Sequence, residues 1–451
     1  MRIDDEWEVA HPENLWKNKT RDYSIIIPMN LQSLPRLYSN PADQASIPQT
    51  QGQTHAGADV VADGVADVLI VGGGIVGATL ACCLADQNLR VVVVEGMAPA
   101  ATLENKRAYA LTLLTIDIFR ALGIWADLEP KVTGFNQICL SDAAHQTVVR
   151  FTPQDIGRSE LGYVAEHRVI LQGLYDRLQG AKHITWIAPA QVQGMEIAES
   201  SGWRLVTVGL PNGETLCLKT PLVVAADGAN STLRRQANIP TWGWKYWQSC
   251  VGFTVRCDRP HQHIAYEKFW SSGPFAMLPL TNQRCQIVWT APHTEAAALA
   301  NLSEPDFLDR LAHRYGVPAQ ELHLETPRQV FPVRLMQSQT YRADRLALVG
   351  DAAHPMLPYM AQGAGMAIED AQVLVSLALK QVQSGPLDVV DLFERYAQLR
   401  WARCARVQRK AIRNGQWFHA SGLKAWIRDL GLSTMGGRVM DVPWLYKPHR
   451  I

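Results

Sequence analysis

The chain has 451 residues, 47% hydrophobic and 19% charged, which is too long for one ordinary core and implies two or three interlocked globular domains. A formal net charge of +1 excludes any global attraction to nucleic acid. The eight cysteines show no CxxC pair and no metal-ligand spacing, so the reading is a reducing, cytoplasmic protein without a metal.

In chain order, residues 1–64 lack sustained periodicity, and Ser39 to Gly64 is rich in Gln, Ala, Ser, Asp and Gly, as in a flexible extension. Trp7, Trp16 and Tyr23 leave open a docking arm. Acidic residues stand where a signal peptide needs a basic start and an apolar stretch. The apolar run from Val68 to Leu84 has nearly the length of a membrane span, but four glycines interrupt it. From Ala66 to Glu95 it reads instead as a strand, a glycine turn, a helix of small residues and a second strand, a βαβ unit.

Within that unit, Gly72, Gly74 and Gly77 form a G-x-G-x-x-G turn between strand and helix. The spacing permits a tight turn, close approach of a pyrophosphate, and close packing of helix on strand. Ile75 and Val76 open the helix, whose free amides and dipole favour an anion. Glu95, eighteen residues past Gly77, is placed to bind an adenosine ribose. The fingerprint alone does not separate NAD from FAD, since both contain the ADP half.

Further along, Pro221 to Ala226 and Arg345 to Gly350 read as short buried strands ending at Asp227-Gly228 and Gly350-Asp351. From about Trp242 to Arg334, strand-like segments separated by turns predict an antiparallel sheet. Beyond Leu392 the chain becomes helical and basic. Trp417, Phe418, Leu423 and Trp426 are interleaved with Lys424 and Arg428, compatible either with an amphipathic surface helix at an anionic membrane or with a packed helix bearing a solvated basic face.

Three motifs together carry a resemblance. They are the glycine turn; Asp227-Gly228-Ala229-Asn230-Ser231-Thr232-Leu233-Arg234, of the form DG-x-x-S-x-x-R; and Gly350-Asp351-Ala352-Ala353-His354 followed by Pro358, Gly363, Ala364, Gly365 and Met366. Over residues 66 to about 400 the chain resembles the class A FAD-dependent aromatic monooxygenases, the p-hydroxybenzoate hydroxylase group. Within it the chain is most similar to the hydroxylases of ubiquinone biosynthesis.

The resemblance implies an α/β fold. A Rossmann-like FAD-binding domain of glutathione-reductase type, with a mostly parallel sheet and a β-meander, would be joined by an antiparallel substrate domain and C-terminal helices. The corresponding division is an extension over 1–64, FAD-binding parts over 65–240 and 339–395, a substrate domain over 241–338 and a helical basic region over 396–451. Tightly bound FAD and transient NAD(P)H are the implied cofactors, because only one dinucleotide fingerprint is present.

By the same resemblance Asp351 binds the ribityl chain, while Pro358, Gly363, Ala364 and Gly365 run beside the flavin ring. Arg107 and Arg168 contact the cofactor, and the segment of Asp227, Gly228 and Arg234 lies near the pyrophosphate. Met366 departs from a frequent Asn. His354 reads as an orienting group, and no residue is assigned as an acid-base catalyst. A strand-turn-helix capped by Asp227, and exposed or ion-paired arginines, would account for these positions without a ligand.

The implied reaction is hydroxylation of an electron-rich ring by NAD(P)H and O2 through a flavin C4a-hydroperoxide. The expected acceptor is a hydrophobic aromatic or quinone-like molecule, with a prenylated phenol first and a small aromatic acid or a carotenoid as alternatives. A geranylgeranyl-reductase-like flavoprotein and an FAD-stabilised assembly factor are the readings from other classes. Phe269, Phe275, Met277 and Trp289 are expected on the sheet roofing the substrate. Peripheral membrane contact through the basic C-terminal region and membership of a quinone-pathway complex complete the expectation.

Overall fold

The computed structural model describes residues 62–142, 149–198, 202–358 and 362–418. Trp7, Trp16 and Tyr23 lie outside these residues, as do Lys424, Arg428 and the rest of the basic C-terminal segment.

The fold is α/β. A six-stranded sheet runs in the order Arg342–Ala343, Leu346–Leu348, Val223–Ala225, Val68–Val71, Val91–Val94, Ile184–Ile187, and every pairing is parallel except that of Arg342–Ala343. The runs VLIV and VVVV are buried along their whole length, because helices cover both faces of a parallel sheet and leave no polar side. The helices Ile75–Leu84 and Gly363–Ser384 pack on each other and on this core. A meander of Gln191–Ala198, Trp203–Gly209 and Thr215–Thr220 takes Gly64–Val65 as a parallel edge strand.

The second large sheet is mainly antiparallel and built from Thr241–Cys257, Ile264–Trp270, Gly273–Leu280, Arg284–Pro292 and Gln329–Ser338. Gln137–Asp142 joins it in parallel against Ile264–Trp270, although it lies far upstream in the chain. One face is covered by His293–Asn301 and Glu304–Tyr315, giving a core that contains Phe253, Phe275, Trp289, Phe307 and Leu311. The other face meets the small sheet of Ala108–Leu111, Thr133–Phe135 and Gly162–Glu166 in a further cluster holding Phe135, Leu140, Val164, Phe269 and Leu280.

The helix Val389–Phe418 crosses the expected division at 395/396 without a break. No helix among the described residues is long and apolar enough to cross a membrane.

Candidate functional site

Four adjacent parallel strands deliver their C-terminal ends to one edge of the first sheet. Leu346–Leu348 leads to Gly350, Val223–Ala225 to Asp227, Val68–Val71 to Gly72 and Val91–Val94 to Glu95. Ligands of open α/β sheets bind outside such carboxyl ends. Motifs separated by more than a hundred residues therefore meet.

The contacts between the turns are close. A Cβ at Gly72 (φ +105°) would lie 2.3 Å from the Ala226 carbonyl oxygen, and one at Gly350 3.2 Å from a Val76 methyl. Arg234 is buried, and its two Nη atoms donate to the carbonyls of Ala352 (2.8 Å) and Ala229 (3.0 Å), tying the second turn to the third. Two of its five N–H donors go to backbone carbonyls, so it braces one turn against the other.

Gly77 has no room for a side chain: a Cβ would meet the Gly72 carbonyl oxygen at 1.8 Å. Above Gly74 the reverse holds, since a Cβ there would meet nothing within 4 Å. The helix Ile75–Leu84 starts at Gly74 without a side-chain cap, so its first amides face that open space. Glu95 accepts from the Gly73 amide (2.6 Å) and the Met97 amide (2.9 Å), which fixes its carboxylate beside the glycine turn. Tyr175 donates to the Gly73 carbonyl at 3.1 Å, and Trp186, in edge contact with Tyr175, packs against Gly73. Neither aromatic had a motif to announce it.

The residues present fit FAD. The Asp227 Oδ2 caps the helix Thr232–Gln236 through the amides of Thr232 (2.8 Å) and Leu233 (3.3 Å), while its buried Oδ1 has no partner. Asp351 is open to solvent although protein closely surrounds it. That burial raises its carboxyl above the usual range, opposed by the positive charges of His354, Arg334 and Arg107. A carboxylate on the floor of a cleft with unspent acceptors suits the hydroxyls of a ribityl chain.

Arg107 also stacks over Phe331, with its guanidinium carbon 4.8 Å from the ring centre. Arg168 is exposed at the start of the helix His167–Leu178, and the amide of neighbouring His167 donates to the Arg107 carbonyl at 2.7 Å. Gly228 has open space above it, whereas Met366 is buried in the first core. Ile75 is buried there too, and Val76 packs on Gly350.

The turn expected beside the flavin ring is described at Pro358 and again from Gln362. Gly365 needs its missing side chain, since a Cβ would lie 3.1 Å from the Thr115 hydroxyl. The helix Gly363–Ser384 begins at Gln362 without a side-chain cap, which leaves its first amides to an electron-rich partner.

Behind this turn stands a buried charge network. His354 Nε2 meets Asp370 Oδ2 at 2.6 Å, and Arg400 Nε meets Asp370 Oδ1 at 2.5 Å. Arg400 and Arg403 share Glu369 at 3.0 and 2.7 Å, and Arg400 also donates to the Met366 carbonyl. Burial alone would depress the His354 pKa, but Cys404 and the Asp370 carboxylate outweigh it and hold it well above its ordinary value. Although His354, Asp370 and Cys404 lie within 4.8 Å of one another, a metal ion there would sit beside the Arg400 guanidinium, so the group serves as an ion-pair lock. Asp370 Oδ2 also accepts from the Gly350 amide at 2.7 Å, which ties the network to the third turn.

Strand alternation sorts the expected substrate residues. Phe275 pairs with Trp289 and Met277 with Ile287, and all four belong to the core under His293–Asn301 and Glu304–Tyr315, on the face turned away from the small sheet. Of the expected roof, Phe269 alone lies on the other face, together with Leu140, Ala265 and Leu278. The correction is one residue along each strand: Ala276, Leu278 and Val288 face the cleft side in place of Phe275, Met277 and Trp289. Gln286 on that side bridges the layers by accepting from the Ala108 amide at 3.1 Å.

A dinucleotide fingerprint and two further turns gathered on one sheet edge, with residues that fit FAD and a second, mainly antiparallel sheet, are the features of an FAD-dependent oxidoreductase. The chain belongs to the family described as FAD binding domain, whose model matches residues 65–411. An uncharacterized protein, slr1300, of Synechocystis is 40% identical over 340 residues, 74% of this chain and 81% of that protein. The ubiquinone hydroxylase UbiL of Rhodospirillum rubrum is 34% identical over 316 residues, 69% of this chain and 72% of its own length. Among solved structures, p-nitrophenol 4-monooxygenase of Pseudomonas putida superposes with a TM-score of 0.71 at 18% identity, covering 85% of this chain and 99% of that one, a likeness of fold. The chain is a flavoprotein monooxygenase that binds FAD.

Proposed function

We propose that this enzyme hydroxylates a prenylated phenol or related quinone precursor, using NAD(P)H and O2. The observation that carries the reading is an apolar wall of half-buried Ala276, Leu278 and Val288, backed by the buried Phe269 and Leu140, on the side of the second sheet that adjoins the small sheet and the expected flavin turn. Two relatives support the substrate class by their own names, UbiL and the 3-demethoxyubiquinol 3-hydroxylase of Escherichia coli, the latter 29% identical over 318 residues.

Bound FAD supplies hydride acceptance from the nicotinamide and delivery of one oxygen atom to the ring. The chain's own residues bind and orient. The amides above Gly74 receive the pyrophosphate, Glu95 the adenosine ribose, and Asp351 the ribityl hydroxyls. Uncapped amides at Gly363–Gly365 stabilise negative charge that develops at the pyrimidine edge. The apolar wall holds the substrate and excludes water from the reacting carbon.

The enzyme would work in the cytoplasm at the inner face of a membrane. The basic aromatic segment around Trp426 and Arg428 would bring it to anionic lipid, and co-sedimentation with anionic vesicles at low salt, lost at high salt, checks that part.

The test of the reaction is turnover of 2-farnesylphenol with NAD(P)H under 18O2, read by mass spectrometry. The expected product carries labelled oxygen on the ring. A product saturated in its prenyl chain without label would establish a reductase instead, and an FAD-loaded protein that turns over no phenol would leave the assembly-factor reading.

A further inference from the structure

On the cleft-facing side of the second sheet stands one carboxylic acid that the functional reading has not used. Glu267 lies in the strand Ile264–Trp270, opposite Ala276 on one neighbour and Leu140 on the other. Its neighbours in sequence settle its direction. Lys268 donates to the carbonyls of Arg314 and Tyr315 at the end of the helix Glu304–Tyr315, on the far face. Glu267 therefore points the opposite way, with Ala265 and Phe269.

On this face Ala276 and Leu278 are half-buried, as Glu267 is, beside Ala265, Phe269 and Leu140, which are buried in the core against the small sheet. The face is apolar, formed by Ala265, Phe269, Leu140 and Leu278, and these pack beside Leu113 and Ala108. Leu113 follows Thr112, whose side chain lies 3.4 Å from the Cβ that Gly365 lacks, so this face adjoins the flavin turn. Among the described residues Glu267 makes neither a hydrogen bond nor an ion pair, yet it is only half-buried. The cations on the same face are already paired, Arg284 bidentately with Glu166 at 3.1 and 3.0 Å and its cross-strand neighbour Arg256 with Asp258 at 2.8 Å. Desolvation pushes the Glu267 carboxyl up to about 8, with no charge nearby to offset it. A carboxyl left unpaired on an apolar wall lowers stability, and its strand neighbour Ala276 is itself only half-buried.

We propose that Glu267 is the residue that recognises the substrate's ring hydroxyl, accepting its hydrogen bond and so orienting the ring against the flavin turn. The proposal rests on the phenol-hydroxylase reading and adds the group that selects a free phenol. An aromatic ring lying on Ala276 and Leu278 would offer few polar handles, and one acceptor in an otherwise apolar site discriminates strongly against an analogue that lacks the donor.

The test uses the FAD-loaded enzyme without NAD(P)H, so that binding is read from the flavin difference spectrum rather than from turnover. The probes are 2-farnesylphenol and its methyl ether. Wild type should bind the phenol roughly tenfold more tightly or better. Glu267→Leu should bring the two affinities to within about twofold, mainly by weakening the phenol, while FAD content is kept and the melting temperature rises because an unpaired carboxyl is gone. If Glu267→Leu does not take up FAD, Glu267→Ala is read by the same ratio. A phenol-to-ether ratio unchanged from wild type in the folded variant overturns the assignment. Wild-type binding of neither probe overturns the phenol reading itself, and the assignment with it.

Discussion

Gly74 and Gly77 lie about one helical turn apart, and a side chain would meet opposite surroundings at the two. At Gly77 a methyl group would collide with the chain itself, 1.8 Å from the Gly72 carbonyl oxygen, so Gly77→Ala should cost about 1–3 kcal/mol in denaturant unfolding of the apoprotein. At Gly74 it would meet no protein atom. Gly74→Ala should therefore leave apoprotein stability within about 1 kcal/mol of wild type while weakening FAD binding at least roughly tenfold, as measured by fluorescence titration. An equal loss of fold stability in both variants would remove the pyrophosphate from Gly74. Such glycines were legible because their spacing has a geometric cause. Tyr175 and Trp186 were not, since a side chain buttressing a turn from a distant strand or helix leaves no local pattern. The facing of Phe275, Met277 and Trp289 was also hidden: both faces of that sheet are apolar, and alternation alone does not say which one a helix layer covers.

Among the elements, the helices Gly363–Ser384 and Val389–Phe418 are joined by charge in a place where neither would be predicted to carry it. Arg400 and Arg403 read in sequence as part of a basic surface, but Arg400 is 1% exposed and both spend themselves on Glu369 and Asp370. Asp370→Asn should leave buried Arg400 short of a counter-charge and His354 without its carboxylate partner, and cost about 3–5 kcal/mol at neutral pH, visible as a lower unfolding midpoint. The pH dependence has two signs. Burial would raise the Asp370 pKa, but His354 and Arg400 outweigh it and hold it low, so its contribution is present above its unfolded value near 3.8 and is lost as pH falls through the folded one. His354 is raised, so its contribution is full below its unfolded value near 6.5 and is lost as pH rises through the folded one. Unfolding free energies of wild type minus Asp370→Asn should thus be largest between those limits and shrink toward both acid and alkali; a flat difference would contradict the network. The strand Gln137–Asp142 gave a second surprise of this scale, because its partner Ile264–Trp270 lies in a different stretch of chain and no local periodicity reports a parallel pairing.

For the whole molecule, the sheet edge that gathers Gly72, Asp227 and Gly350 belongs to one layer and the apolar wall to another, with the small sheet and the flavin turn between them. The parallel βαβ core and the antiparallel second sheet were readable from strand length, composition and punctuation; their mutual placement followed from the resemblance. Because FAD would touch turns from the beginning, middle and end of the described chain, it should stabilise the molecule globally, by about 2.7 kcal/mol at a free concentration a hundred times its dissociation constant. The most direct measurement is therefore a titration of the purified, flavin-stripped protein with FAD, following bound-flavin absorbance and melting temperature together. Stoichiometric yellow complex and a melting temperature that climbs with FAD concentration are the predicted result. A protein that stays colourless, with a melting point indifferent to FAD, would contradict the cofactor site and the chemistry built on it.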